Sequence, residues 1–409
     1  MTTGMFSEQE VHFADEIAFC EQLQTFTTRI PAIAFRAPNP QSGRATDMSL
    51  QSRLAESRPG YQMPRSGGSF EIDVYFCGAN ADTASGALSA TWLQKLLADG
   101  LGGGDLTQVG GVAGASATTT TMPNATGTGL RGGIRRVGVA GDGRGNGQAY
   151  VSTNPTTTLL TAFDIAPTAG DVLRACQMVY PKETLGATKR FLVGWNQTDM
   201  QYVFHGCQLA GLTVRVVLGD LCLLTLTYNY AYWREITGFT IPSAVTEENC
   251  NAAISSGGSY FRQTLATATR AVVANTDMQL TLNLALSPLR GQGGLALQPI
   301  TGWVRDAQKP FGTLRLVLPY DVAEGVAYDA DGSDTTEKHF LATLSSGGGT
   351  AASEGRHVSF YAPRMYPMGS RPAFTDFNGL RYTEVTYGLR EGTDTTNDLT
   401  RSAIRFGIS

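Results

Sequence analysis

The sequence is short of charge: Lys, Arg, Asp and Glu make up 16% of its 409 residues, against about 25% in an average soluble chain. What charge there is comes to a net −4, so no basic excess can displace counterions from a nucleic-acid backbone, which argues against a DNA reader. Lys and Arg are missing from the first 28 residues, so the positive start of a secretory signal is absent and nothing points to export. Long apolar runs are missing too. The most apolar stretch, 203–232, is broken by His205, Arg215 and Asp220, so no segment can cross a bilayer as a helix and no membrane partner is expected.

Metal and catalytic spacings are equally scarce. The six cysteines (Cys20, Cys77, Cys176, Cys207, Cys222, Cys250) are far apart with no Cys-x-x-Cys, and read as reduced, core-filling thiols of a cytoplasmically made protein. The four histidines, His12, His205, His339 and His357, show neither His-x-x-x-His nor His-Glu-x-x-His spacing, so no metal is expected. No Gly-x-Ser-x-Gly elbow is present, and no enzyme is expected. The glycine run 141–147 lacks the Gly-Lys-Ser/Thr of a phosphate loop and reads as a flexible loop with no cofactor. The acidic stretch 329–337 has its glycine at the fourth position, where a calcium loop needs it at the sixth, and reads as a solvated turn.

What the chain has in excess is glycine: 48 residues, about 12% against a usual 7% or so. Between the glycines run strand-like alternations. Phe70, Ile72, Val74 and Phe76 face one way and Ser69, Glu71 and Asp73 the other. The runs 209–218 and 221–233, joined by Gly219-Asp220, read as a long hairpin in which Thr225, Thr227 and Asn229 alternate with Leu226, Tyr228 and Tyr230. Two helices are expected: one within 7–23, from the Ser7 to Glu10 capping pattern with apolar residues at 13, 17, 20 and 23, and one at 89–99 capped by Ser89 and ended by Gly100. Residues 100–158, rich in Gly and Thr, read as a long loop or projecting arm, and Gly-rich 345–354 and 329–336 as later loops. The aromatics Tyr228, Tyr230, Tyr232 and Trp233 and the Met365 to Met368 segment read as buried sheet residues, since no cluster of Lys and Arg surrounds them.

The chain also matches itself. Thr46-Asp47-Met48-Ser49-Leu50 returns as Thr276-Asp277-Met278-Gln279-Leu280. The segment 68–74 returns as 312–318, and 225–229 as 384–388, all in the same order. The offsets are 230, 244 and 159, and the fall to 159 is what an insertion at 100–158 would produce. A duplication is expected, with copy one at 30–236 and copy two at 264–409.

The strand at 68–76, the leucine-rich helix at 89–99, and Phe204-His205-Gly206-Cys207-Gln208-Leu209 leading toward 221–233 together resemble the major tail tube proteins of long, non-contractile-tailed bacteriophages, in their larger two-domain version. The insertion at 100–158 departs from the compact pattern of that family. The resemblance implies a mainly β fold: an N-terminal segment with a short helix (1–29), a first antiparallel β-sandwich or barrel domain (30–236), a linker (237–263) and a second such domain (264–409), with short helices and long loops.

It further implies a structural virion protein, made in the host cytoplasm, whose rings stack into a hollow tail tube through which phage DNA passes without specific binding. Two such domains per chain imply trimeric rings with pseudo-sixfold symmetry, meeting tape measure, terminator and distal tail proteins. The expected lumen-lining residues are Glu71, Asp73, Thr225, Thr227, Asn229, Glu384 and Thr386, on an acidic face that would repel phosphate; an outer solvated face fits the same pattern. Arg315 stands where Glu71 does, so the copies differ in charge. The arm at 100–158 and the N-terminal segment suit either ring-to-ring contacts or outward decoration. Two other readings remain open: another virion component, of capsid or tail-terminator type, and a carbohydrate-binding or hydrolytic β-sandwich.

Overall fold

A computed structural model describes residues 10–20, 25–36, 44–45, 61–62, 66–78, 91–102, 104–108, 111–118, 121, 134–138, 149–151, 166–174, 176–194, 201–217, 219–236, 246–247, 252–264, 277–291, 300–306, 311–319, 337–346, 357–368, 373–377, 380–393 and 398–408. The fold is mainly β, and its strands pair almost throughout in antiparallel fashion. Eight neighbouring strands set its main face: Ala32–Arg36, Ser66–Tyr75, Leu223–Ile236, Gln201–Val217, Asp277–Asn283, Gly312–Pro319, Leu380–Arg390 and Ala373–Phe377. The six inner strands alternate apolar and polar residues, so one face is greasy and the other wet. The greasy face carries Ile72, Val74, Leu224, Leu226, Leu212, Val214, Met278, Leu280, Leu314, Leu316 and Val385, all buried in one core that also takes in residues from both ends of the chain.

Two long strands carry the chain into further pairings. Residues 202–207 of Gln201–Val217 pair with Lys189–Gly194, which pairs in turn with Glu10–Asp15. The first part of His357–Pro367 likewise pairs with Lys338–Ser346, which pairs with Ala253–Thr264. A bulge interrupts both long pairings at the same place, between Lys189 and Phe191 and between Lys338 and Phe340; an extra residue there bends the strand. The segments themselves match as Lys-x-Phe-Leu, 189–192 and 338–341. The helix Trp92–Leu101 buries Trp92, Leu93, Leu96, Leu97 and Leu101 against this core.

The first bulge is held by a buried carboxylate. Glu16 accepts hydrogen bonds from the Gly206 backbone N–H (3.0 Å), the Cys20 N–H (3.1 Å) and the Thr188 hydroxyl (2.7 Å). The Gly206 carbonyl accepts from Trp303 Nε1 at 2.8 Å. Gly206 has φ +62°, and a methyl group on it would lie 2.8 Å from Ala231 Cβ, so both backbone angle and space require glycine. Nearby, the ammonium of buried Lys189 pairs with Asp15 and Asp99, tying the first strand and the helix to Lys189–Gly194.

Several expectations change. Within 7–23, the described residues 10–15 are the strand Glu10–Asp15, because Val11 and Phe13 enter the core while Ile17, placed on the expected helix stripe, is 92% exposed. The 89–99 helix runs instead from Trp92 to Leu101. Its cap is Thr91, whose hydroxyl accepts from the Gln94 N–H, and it ends at Gly102 in the left-handed region. Arg305 lays its guanidinium on the Gly100, Leu101 and Lys182 carbonyls at that end, supplying donors that the last turn lacks. Gly100 stays inside the helix, where a Cβ would meet Leu209 Cδ2 at 2.5 Å.

Much of the described part of the expected arm, 100–158, is strand: Gly104–Gln108 pairs with Cys176–Tyr180, and Ile134–Gly138 pairs with Ala149–Val151 and Val172–Arg174. Ile134 and Val151 are fully buried against Cys176, Met178 and Tyr361. The expected linker, 237–263, includes most of the strand Ala253–Thr264. Cys20, Cys176, Cys207 and Cys222 are buried thiols outside any disulfide, but Cys77 is disulfide-bonded rather than reduced. Residues 141–147, 329–336 and 347–354 lie outside the described residues.

Gly206→Ala should lower unfolding free energy by about 1–3 kcal/mol in urea titrations, since strain and crowding act together. Gly219→Ala has φ +81° and nothing within 4 Å, so it should cost only the backbone strain, about 1 kcal/mol. Equal losses at the two sites would refute the crowding argument.

Candidate polar face of the central sheet

Alternation places all seven expected residues on one face. Glu71 and Asp73 stand opposite Thr227 and Thr225 on the next strand, with Asn229 one step further along that side. Glu384 and Thr386 stand opposite Val317 and Arg315. All seven are half-buried, while their neighbours Ile72, Leu226 and Val385 face the core.

The structure adds residues that sequence reading missed. Thr225, Thr213, Thr281 and Thr313 stand side by side on four consecutive strands, opposite one another in register. Threonine suits this place: its branched Cβ fits the pleat, and its hydroxyl keeps the surface polar without charge. Beside this row run Leu223, Arg215, Gln279, Arg315 and Thr386. The alternation of Asp277-Met278-Gln279-Leu280-Thr281-Leu282 was the signal that could have found Asp277, Gln279 and Thr281.

The acids on this face are neutralised by arginines. Arg36 reaches both carboxylate oxygens of Asp73 at 2.5 and 2.6 Å and Glu71 at 3.3 Å, and the Thr225 hydroxyl donates to Asp73 at 2.7 Å. Across the sheet the signs are exchanged: Arg315 donates to Glu384 at 2.7 Å and to Asp277 at 3.0 Å. The hydrogen bond from Arg315 holds the Glu384 carboxyl below its ordinary value, and the hydrogen bond to Asp73 raises Arg36. Four acids (Glu71, Asp73, Asp277, Glu384) therefore share the face with three arginines (Arg36, Arg215, Arg315). The expected acidic, phosphate-repelling surface is corrected to a nearly balanced one.

The remaining chemistry-bearing residues are packed into the interior. His12, His205, His339 and His357 are all buried within strands. Burial pushes the Cys20 and Cys222 thiols up to about 12, which leaves them protonated and unreactive. Burial pulls His339 down to about 4, with its Nδ1 3.0 Å from the Tyr361 hydroxyl. Tyr228, Tyr230, Trp233 and Met365 are core residues, whereas Met368 is exposed. No protein-family model and no curated protein matches this chain.

Two pH effects follow. Glu384 titrates lower in the folded chain than its ordinary 4.5, so its contribution is complete above that value and drains away as pH falls through the folded pKa. Arg315→Gln should lower the thermal midpoint at pH 7, and this deficit should shrink toward pH 3. His339 is depressed from 6.5 to about 4, so the unfolded chain takes up its proton first and stability falls as pH drops across that window. His339→Gln should flatten that part of the stability curve, read by thermal melts between pH 7 and 4.

Proposed function

We propose that this chain is a structural virion protein of the major tail tube type, whose copies join into rings that stack as a hollow tube conducting phage DNA. One observation carries the reading: an eight-stranded antiparallel sheet with a core on one side, a small-residue, charge-balanced face on the other, and an end strand on each border. A sheet left open in this way presents rows of backbone donors and acceptors, and edge-to-edge closure satisfies them.

On this reading the chain holds two related modules. One is built on Ser66–Tyr75 and Leu223–Ile236, and the other on Gly312–Pro319 and Leu380–Arg390, where Phe70 opposite Tyr228 and Leu314 opposite Tyr387 are counterparts. Three chains would bring about 24 strands. At about 4.8 Å spacing and about 40° tilt these close a cylinder about 50 Å across, and side chains about 5 Å deep leave a bore near 40 Å. That passes a duplex. The lining would then be the four-threonine row with Glu71, Asp73, Thr227, Asn229, Glu384 and Thr386. It offers DNA few free cations, because Arg36 and Arg315 are already engaged. Tape measure, terminator and distal tail proteins would meet the bore and the two ends of such a tube.

Light scattering of the purified chain with negative-stain microscopy tests this. The expected result is assemblies built in multiples of three chains, seen as annular end views or tubes with an open centre. A closed shell or single capping ring would favour a capsid-type or terminator protein, and a stable monomer that binds glycans would overturn the reading.

A further inference from the structure

The internal joint of the sheet, where 211–217 pairs with Asp277–Asn283, has a counterpart at each open border. Thr225 to Tyr228 correspond to Glu384 to Tyr387, so Leu223 corresponds to Tyr382. Opposite these stand Arg215 in one half and Thr375 in the other. On the other side, Asp73 corresponds to Val317, and opposite these stand Ala34 and Asp277. Arg36 therefore corresponds to Gln279. Inside the chain, Arg215 stands directly opposite Gln279. The borders Ala373–Phe377 and Ala32–Arg36 thus reproduce the two sides of a joint the molecule already makes. Among the described residues, no strand pairs with the far edge of either.

Exposure of side chains marks the same places. Phe374 corresponds to Val214; Val214 is fully buried at the internal joint, whereas Phe374 is 56% exposed. On the opposite border Ile33 is 47% exposed. Large apolar residues on edge strands invite pairing with another strand.

We propose that the occupant of both borders is a second copy of this chain. Ala373–Phe377 of one copy adds antiparallel to Ala32–Arg36 of the next, with Thr375 opposite Arg36, Asp376 opposite Phe35 and Phe377 opposite Ala34. The proposal deepens the ring-forming reading and rests on it. A second copy is favoured over an unrelated strand because each border already carries the pattern of one side of 211–217 against Asp277–Asn283. The two borders differ, so the contact is head to tail and propagates until it closes.

Cysteine pairs across the border test the register. Directly opposed residues have Cα atoms about 4.5–5.5 Å apart, within disulfide reach, and a two-residue slip moves them to about 8 Å, beyond it. In assembled protein, oxidation of the Ala34→Cys, Phe377→Cys variant should give covalently linked chains ending at trimers on a denaturing gel, at least fivefold more than Ala34→Cys with Thr375→Cys. Hydrogen exchange on the unmutated chain is the second measurement: amides of 32–36 and 373–377 should exchange at least tenfold more slowly after assembly. Particles that assemble with neither the matched crosslink nor this protection overturn the register while leaving the ring reading in place. A chain that stays monomeric at all concentrations overturns both.

Discussion

The backbone ladder between 211–217 and Asp277–Asn283 is the interaction on which the rest of the molecule depends. It turns two sets of strands into one sheet and removes two edges from solvent. Its register is fixed by apolar residues on the core side: Leu212, Val214 and Val216 lie opposite Leu282, Leu280 and Met278, all buried. A one-residue slip of either strand would turn its three toward water and bring Thr213 and Arg215, or Gln279 and Thr281, into the core, so packing holds the register firmly. The continuous threonine row is a consequence of that packing, since Thr213 and Thr281 can only meet when the leucines do.

The charges on the wet face follow a different logic. Arg36 is more than half exposed, and Arg315 and its partners are about 30% exposed. Ion pairs in such positions add little to stability, about 0–1 kcal/mol. Their effect is on the field. An acid and an arginine about 3 Å apart cancel at distances well inside the ~8 Å Debye length of physiological salt. The two clusters reach this balance with opposite arrangements, two acids on strand Ser66–Tyr75 against Arg36, and Arg315 on Gly312–Pro319 against acids of both neighbouring strands. Neutrality is preserved while the residue types are exchanged.

What could be read from the chain was whatever depends on nearest-neighbour alternation. Strands 68–76, 209–218 and 221–233 were legible because each wears its burial pattern openly, and so were the seven residues on the polar side of the sheet, five on these strands and Glu384 and Thr386 on Leu380–Arg390. The capping pattern at Ser7 to Glu10 misled because a helix and a strand compete for such a segment. The winner was pairing with Lys189–Gly194, nearly 180 residues away in sequence. Glycine content likewise hid Ile134 and Val151, single apolar residues that bury themselves only against distant strands. The Lys-x-Phe-Leu match escaped because its spacing, 149, differs from the other three offsets. Of the expected match between 46–50 and 276–280, the first segment lies outside the described residues, and the strand at that place in the first half is Ala32–Arg36. Arg36 could not be paired with Asp73 until the register of those strands was known.

The joint also bears on symmetry. Two halves held by one ladder are related by whatever rotation the twist of that ladder and the packing behind it impose. Under the proposed assembly the same ladder recurs between chains, so every half is turned relative to the last by the same amount. The number of halves in a closed ring is then set by the joint itself, and six of them close when each contributes a sixth of a full turn. Ring size would accordingly resist changes in the connecting loops and respond to residues behind the joint, above all Leu212, Val214, Leu280 and Leu282. Those side chains set how closely the two strands lie on the core, and with it the angle at which one half meets the next.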